Sequence, residues 1–412
     1  MPDVDSAPLT FERLKSLVAS DAVAIRGTAT LEPVGGPGDK VFPPTHLVNV
    51  RTDSSRYAFE VRRIGGRDVP CVLLDSVQSQ ANRMEEALQA LWADCRITLP
   101  LIVVDFSEAA PDVGVVTSLS APHRIADAIL RDSLLDGTLF RLSELGRSFT
   151  DVSTRNAGPL FKVCPTGLVF GLWDSTGPKG GLGAKFARAL VSEIVGVDAV
   201  AGVKTWSRID PIGIVTKAAE LYAAADAEEF WTLDPAKAKR EKGKPVKAGQ
   251  GGRVSEINHS NIPPTIEKLA GGVTISHAAH SVVLSLAALR RLSFGGGELE
   301  ARTVLAALGL LSVLAAESRG HDLRSRCLLV PRPGKSLRLV VVRRDGETQP
   351  LTLDFEHAVA LYNEAVVALP PALRFAAGPG QPLAKLTPSP KLVHLVKESR
   401  RLAAIGADVE EA

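Results

Sequence analysis

Helix-like and strand-like stretches alternate along this 412-residue chain, which predicts a mixed fold, α/β or α+β. Three observations carry that reading. Apolar residues recur at three- and four-residue spacing in several windows, short runs of Val, Leu and Ile lie between them, and Gly/Pro clusters separate the two. The chain is 45% hydrophobic and 23% charged, so it can build a core, and a disordered chain is excluded. At roughly 150 residues per domain the length suits two or three domains, or one large elaborated one.

The elements are read in chain order. Phe11, Leu14, Leu17 and Val18 have helical spacing. Gly35-Gly36-Pro37-Gly38 and Pro43-Pro44 mark a loop across 32–45. Residues 68–74 read as a strand running into Asp75-Ser76, and Val77, Ala81, Met84, Leu88 and Leu91 predict a helix over 77–92. A strand is expected around Ile102-Val103-Val104, a helix near 122–135, and strands near 160–163 and 167–173. Phe186, Leu190, Val191 and Ile194 predict a helix over 184–195, after a glycine-rich turn. A strand at 272–275 is expected to feed a helix over 277–292. Further helices are predicted at 299–318, 354–369 and from Lys391 onward, with a strand at 337–344.

Charge is unevenly placed behind a net of +2. Lys237, Lys239, Arg240, Lys242, Lys244, Lys247 and Arg253 stand against one acid, Glu241. A second zone, Arg324 to Arg344, holds seven bases and no acid. Basic zones on an otherwise acidic chain suggest a polyanion gripped at chosen places; solvated loop charge is the plainer alternative. The polar stretch 233–265, poor in apolar residues, reads as a mobile basic insertion. The four cysteines are far apart with no CxxC, as expected of reduced thiols in a cytoplasmic protein. No secretory signal or uninterrupted apolar span is evident, so no membrane association is expected.

The common catalytic signatures fail. Gly183-Ala184-Lys185 breaks the Walker A spacing and Phe186 replaces its Ser/Thr. No GxSxG elbow occurs, and no pair of carboxylates stands at a spacing that implies a general acid and base. His277 and His280 form an HxxH pair, but no carboxylate accompanies it, so no metal site is expected there. Two places instead suit phosphate. The strand-to-helix junction concentrates Ser76, Gln78, Ser79, Gln80, Asn82 and Arg83, more polar residues than capping requires. The loop 174–185 offers Thr176, Lys179, Gly180, Gly181 and Lys185, with Arg188 beyond. A polar first turn and a tight turn are the structural alternatives.

The junction with Met84-Glu85-Glu86-Ala87-Leu88, the stretch from Gly171 to Glu193, Ser255 to Pro264, Gly271 to Thr274 and Leu286 to Leu292 resemble one family. It is the backbone RAMP protein of type I-U (I-G) CRISPR interference complexes, and the likeness runs from about Phe42 to Phe294. The wider superfamily opens this helix with Ser-Ser-Gln-x-x-Lys-Arg. This chain has Ser79-Gln80-Ala81-Asn82-Arg83 there, with Gln78 in place of the first serine and Met84 in place of the second base.

The resemblance implies an α+β fold. Its core would be modified RRM-like, of ferredoxin type, with large helical and thumb-like loop insertions. The core would span 1–232, with a loop inserted near 32–60, and resume over 266–412 around the 233–265 insertion. It implies a subunit that polymerises along CRISPR RNA, beside other Cascade subunits, and presents the guide to a target DNA strand. No catalytic residue, cofactor or metal would be needed. Lys244, Lys247, Arg253, Asn258 and His259 would add RNA contacts from the insertion. Aromatics are only 5%, which fits a binder that leaves base edges free rather than one that stacks on them. A metal-dependent ribonuclease of the RAMP superfamily, or a nucleotide-binding enzyme using the glycine-rich loop, are the enzyme alternatives.

Overall fold

The computed structural model describes the chain except residues 1–7, 50–53, 178, 181–182, 227–228, 250 and 405–412. It divides into two compact units. The first comprises Met1–Pro44, Ala58–Val200 and Thr274–Leu395; the second comprises Thr45–Tyr57, Ala201–Val273 and Val396–Ala412.

The first unit is built on a nine-stranded antiparallel sheet. Its strands include β1 (Ala24–Pro33), β2 (Phe59–Ile64) and β3 (Arg67–Asp75). The order runs β2, β3, Leu190–Val197, His277–Ser285, β1, Cys327–Pro331, His321–Arg324, with Arg338–Val342 also pairing β1 and then Thr348–Leu351. In the His277–Ser285 strand Ala278, His280, Val282 and Leu284 are buried while Ser281 and Val283 are exposed, the period-two pattern of a strand covered on one face. Helices α1 (Phe11–Ala19), α2 (Val77–Ala93) and Phe355–Val367 all pack against the Glu298–Ser318 helix. The class is α+β.

The Glu298–Ser318 helix is apolar on nearly every side, because it is surrounded. By length and composition it could cross a membrane, yet it is mostly buried within the unit. Gly309 permits its close approach to the sheet, since a Cβ there would stand 3.0 Å from Leu284. A smaller sheet joins Ile102–Asp105 to Ala384–Pro388 in parallel, flanked by short antiparallel strands.

Helices and strands at 11–19, 67–75, 77–93, 102–105, 298–318, 338–342, 355–367 and 390–404 fall where the spacing places them. Four other readings are corrected. The segments expected as strands near 160–163 and 167–173 form helices at Gly158–Val163 and Pro165–Phe170, each with a proline in its first turn, where the missing N–H costs no intrahelical bond, and only Leu172–Trp173 is a strand. The expected helix over 184–195 is a two-residue strand, Lys185–Phe186, followed by the central strand Leu190–Val197. The expected helix over 277–292 is the His277–Ser285 strand with only Leu286–Arg290 helical. The helix near 122–135 shrinks to Ala128–Arg131 after a 3-10 turn.

In the second unit Lys204–Arg208 pairs antiparallel with Ile262–Glu267. Arg240–Glu241 and Lys244–Pro245 form a hairpin whose central residues, Lys242 and Gly243, both have positive φ, as a two-residue turn of the primed kind demands. Leu221, Ala248 and Val254 make a small apolar cluster under Ile214, Ala219 and Ile257.

Candidate nucleic-acid interface

The polar start of α2 is sorted into two faces by helix geometry. Ser76 caps the helix, its Oγ accepting from the Ser79 N–H at 3.2 Å. The preceding residue, Asp75, ends β3 fully buried. Its carboxylate collects hydrogen bonds from Ser79 Oγ (2.8 Å), Gln80 Nε2 (2.7 Å), Arg83 Nε (3.0 Å) and Arg324 Nη2 (3.1 Å). Arg83 further donates to the carbonyls of Asp322 and Leu323. Ser79, Gln80 and Arg83 therefore face an internal carboxylate. Gln78 and Asn82, four residues apart on another face, are exposed.

Gln78 and Asn82 line an open groove of about 630 Å³ together with Lys185 and Arg188. The two sequence stretches expected to hold phosphate thus meet, but through different side chains. The glycine-rich loop closes a hairpin instead of leading to a helix: Leu172 pairs with Phe186 and Trp173 with Lys185. That register sets the Lys185 ammonium 5.2 Å from the Trp173 ring centroid. At the groove wall Arg124 makes a two-pronged pair with buried Glu85 (2.6 and 2.8 Å) and donates to the Gly171 carbonyl at 3.0 Å. Burial raises the Glu85 carboxyl to about 6 against the pull of Arg124. Arg188 has a buried Nη1 with no hydrogen-bond partner among the described residues. Burial, then the neighbouring Arg124 charge, hold its pKa below the usual arginine range. An anion in the groove would relieve both.

The remaining predicted contacts scatter. Thr176 and Lys179 are exposed on the loop, where Lys179 pairs with Asp151. Gly180 has a φ of +54°, and Gly181 lies outside the described residues. Arg141 and Asp174 form a buried pair that anchors the loop's base. In the second unit Lys244 and Arg253 are exposed, and Lys247 pairs with Glu220. Asn258 and His259 sit in a corner held by Arg208, which donates to Asn258 Oδ1 (3.3 Å) and to the carbonyls of His259 (2.5 Å) and Ser260 (3.0 Å). The second basic zone is largely committed within the fold. Arg324 binds Asp75, Arg332 binds Glu32, Arg343 binds Asp21, and Arg326 covers the Phe42 ring.

Sequence reasoning missed Arg124, Trp173, and a cluster of His280, Glu317 and His321. His280 does acquire a carboxylate, from the next long helix rather than from its own segment. Burial alone would raise the Glu317 carboxyl, but the two imidazoles outweigh it and hold it at about 2. Arg124 carried one sequence signal, a basic residue beside Pro122 and His123; nothing local tied it to Glu85.

No curated protein matches the chain. Residues 25–201 match the family model described as CRISPR-associated protein GSU0053. That segment contains both walls of the groove, from Gln78 and Asn82 to Lys185 and Arg188. Over that segment, less than half of its length, the chain is similar to a CRISPR-associated family.

Proposed function

We propose that the chain is a guide-RNA-binding backbone subunit of a Cascade-type complex, of the type I-U (I-G) kind, working in the cytoplasm. Copies would polymerise along CRISPR RNA and present it for pairing with a target DNA strand, next to other Cascade subunits. The groove carries this reading: two amides at helical spacing line it together with two cations, one with a buried donor unpartnered among the described residues. Amides and guanidinium groups hold phosphates and sugars without reading bases, which a carrier of arbitrary guides requires. The role is that of a scaffold without catalysis. In the second unit the exposed Lys244 and Arg253 offer positive charge to a polyanion. Its exposed Ile209, Ile212 and Phe230 suit contact with the next copy in a filament.

Filter binding of unrelated spacer RNAs at two salt concentrations tests the proposal. Binding should weaken steeply with salt and vary little with sequence. Lys185→Ala with Arg188→Ala should remove most of the co-purifying RNA. A strong preference for one sequence, or undiminished RNA on the double variant, would refute it.

A further inference from the structure

Outside the groove, three side chains of the first unit converge. His280 comes from the His277–Ser285 strand, Glu317 from the last turn of the Glu298–Ser318 helix, and His321 from the strand that follows it. His280 Nδ1 lies 3.1 Å and His321 Nε2 3.4 Å from the same oxygen, Glu317 Oε1. All three ligand atoms fall within 4.8 Å of one another. The two histidine side chains are only 3% and 8% exposed. They border a cavity of about 210 Å³.

The hydrogen bonds behind His280 decide which ring nitrogen carries its proton. Gln80 gives its Nε2 to Asp75, so its Oε1 is left to accept. Ser192 Oγ donates to that oxygen at 2.8 Å, which uses its only proton. The same Oγ, 2.8 Å from His280 Nε2, can then only accept. His280 Nε2 is therefore the donor, and a neutral ring has its lone pair at Nδ1. That nitrogen is buried and lies against Glu317 Oε1. Between that nitrogen and the Glu317 oxygen, 3.1 Å apart, both groups would hold a cation, whether a proton or a metal ion.

We propose that His280, Glu317 and His321 bind a transition-metal dication of the zinc class. Two imidazole nitrogens and one carboxylate oxygen suit zinc, whereas magnesium and calcium prefer all-oxygen shells. Metal–ligand bonds of ~2.0–2.1 Å in tetrahedral geometry require ligand atoms ~3.3–3.4 Å apart. The two nitrogen–oxygen separations, 3.1 and 3.4 Å, are already close to that edge. The fourth position opens on the cavity, which has room for water. Ser192, Gln80 and Asp75 form the outer chain that orients His280. The metal would fasten the end of the long helix to the central strand.

The test uses RNA-free full-length chain stripped with a chelator. Zn²⁺ is titrated against a chromophoric competitor, and Co²⁺ is followed by its visible absorption. The expected result is stoichiometric Zn²⁺ binding, unaffected by excess Mg²⁺. Ser192→Ala should weaken it ~10–100-fold, as loss of an outer-shell partner does. Glu317→Gln, which keeps the side-chain volume, should weaken it by more. Circular dichroism reports whether the variants fold; if Glu317→Gln does not, His321→Asn takes its place. Absence of Zn²⁺ binding by the parent chain, or equal affinity in a folded ligand variant, would overturn the site and assign the space at Nδ1 to a proton.

Discussion

Substituting Gln80 and Arg83 together separates two roles for the start of α2, guide contact and fold maintenance. Both side chains donate to the buried Asp75 carboxylate, and Arg83 adds two backbone carbonyls. A hydrogen bond to a charged group contributes ~1.5–3 kcal/mol, less where water reaches it. Arg83 is 31% exposed and Arg324 still serves Asp75, so the sum is discounted. Gln80→Ala with Arg83→Ala should then cost about 3 kcal/mol, a large part of a typical 5–15 kcal/mol. Urea unfolding monitored by circular dichroism measures it. The reference is Lys185→Ala with Arg188→Ala, whose cations have no carboxylate hydrogen bond among the described residues and should change stability by less than ~1 kcal/mol. RNA carriage, read as the 260/280 nm absorbance ratio, should follow the opposite order at a temperature where both variants are folded. If the α2 pair left stability unchanged and abolished RNA, the Asp75 network would not be the reason these residues are there.

Three further outcomes follow from single features. Glu85 keeps its proton to about pH 6 when folded but only to 4.5 in the unfolded chain. Between those values the native state binds more protons, so stability falls as pH rises. Relative to Glu85→Gln, the parent chain should lose about 1.5 kcal/mol from pH 4.5 to 6.5, and a pH-independent difference would contradict the assignment. Cys95 is exposed while Cys71, Cys164 and Cys327 are buried, and burial pushes Cys327 up to about 11. A thiol reagent at pH 8 should label Cys95 quickly and the other three only on denaturation; fast labelling of a second thiol would disagree. Ile209→Ser with Phe230→Ser should leave the unfolding midpoint nearly unchanged and shorten RNA-bound assemblies in sedimentation; unaltered assemblies would remove this surface from the filament contact.

Long, amphipathic helices such as α2 were legible because one face is apolar over four turns. The central strands were not. Leu190–Val197 and His277–Ser285 have neighbours on both edges, and their apolar residues, such as Val191, Ile194 and Val195, fit helical spacing as well as a strand's. Pairing to distant strands, β3 and β1, decides between the two, and spacing within one segment carries no record of it. The His280–Glu317–His321 cluster was hidden for the same reason, because 36 residues of chain lie between its first two members and only the sheet–helix packing unites them.

The helix start at 76–83 shows what one buried acid can reassign. Successive residues of a helix turn by about 100°, so Gln78 and Asn82 share a face, Ser79 and Arg83 share the next, and Gln80 lies beyond. The polar cluster is therefore never a single cradle; it must divide. Which face turns inward depends on Asp75, the last residue of β3, placed beneath the helix by that strand's pairing. Three donors are drawn to it, and the two amides left over point to the cations of the 185–188 segment. The inward half holds the helix at a set height on the sheet, so the outward half meets Lys185 and Arg188 at a repeatable spacing. On the proposed function, a subunit gripping each stretch of guide alike would need that constancy more than one further phosphate contact, and Asp75 is the residue that would supply it.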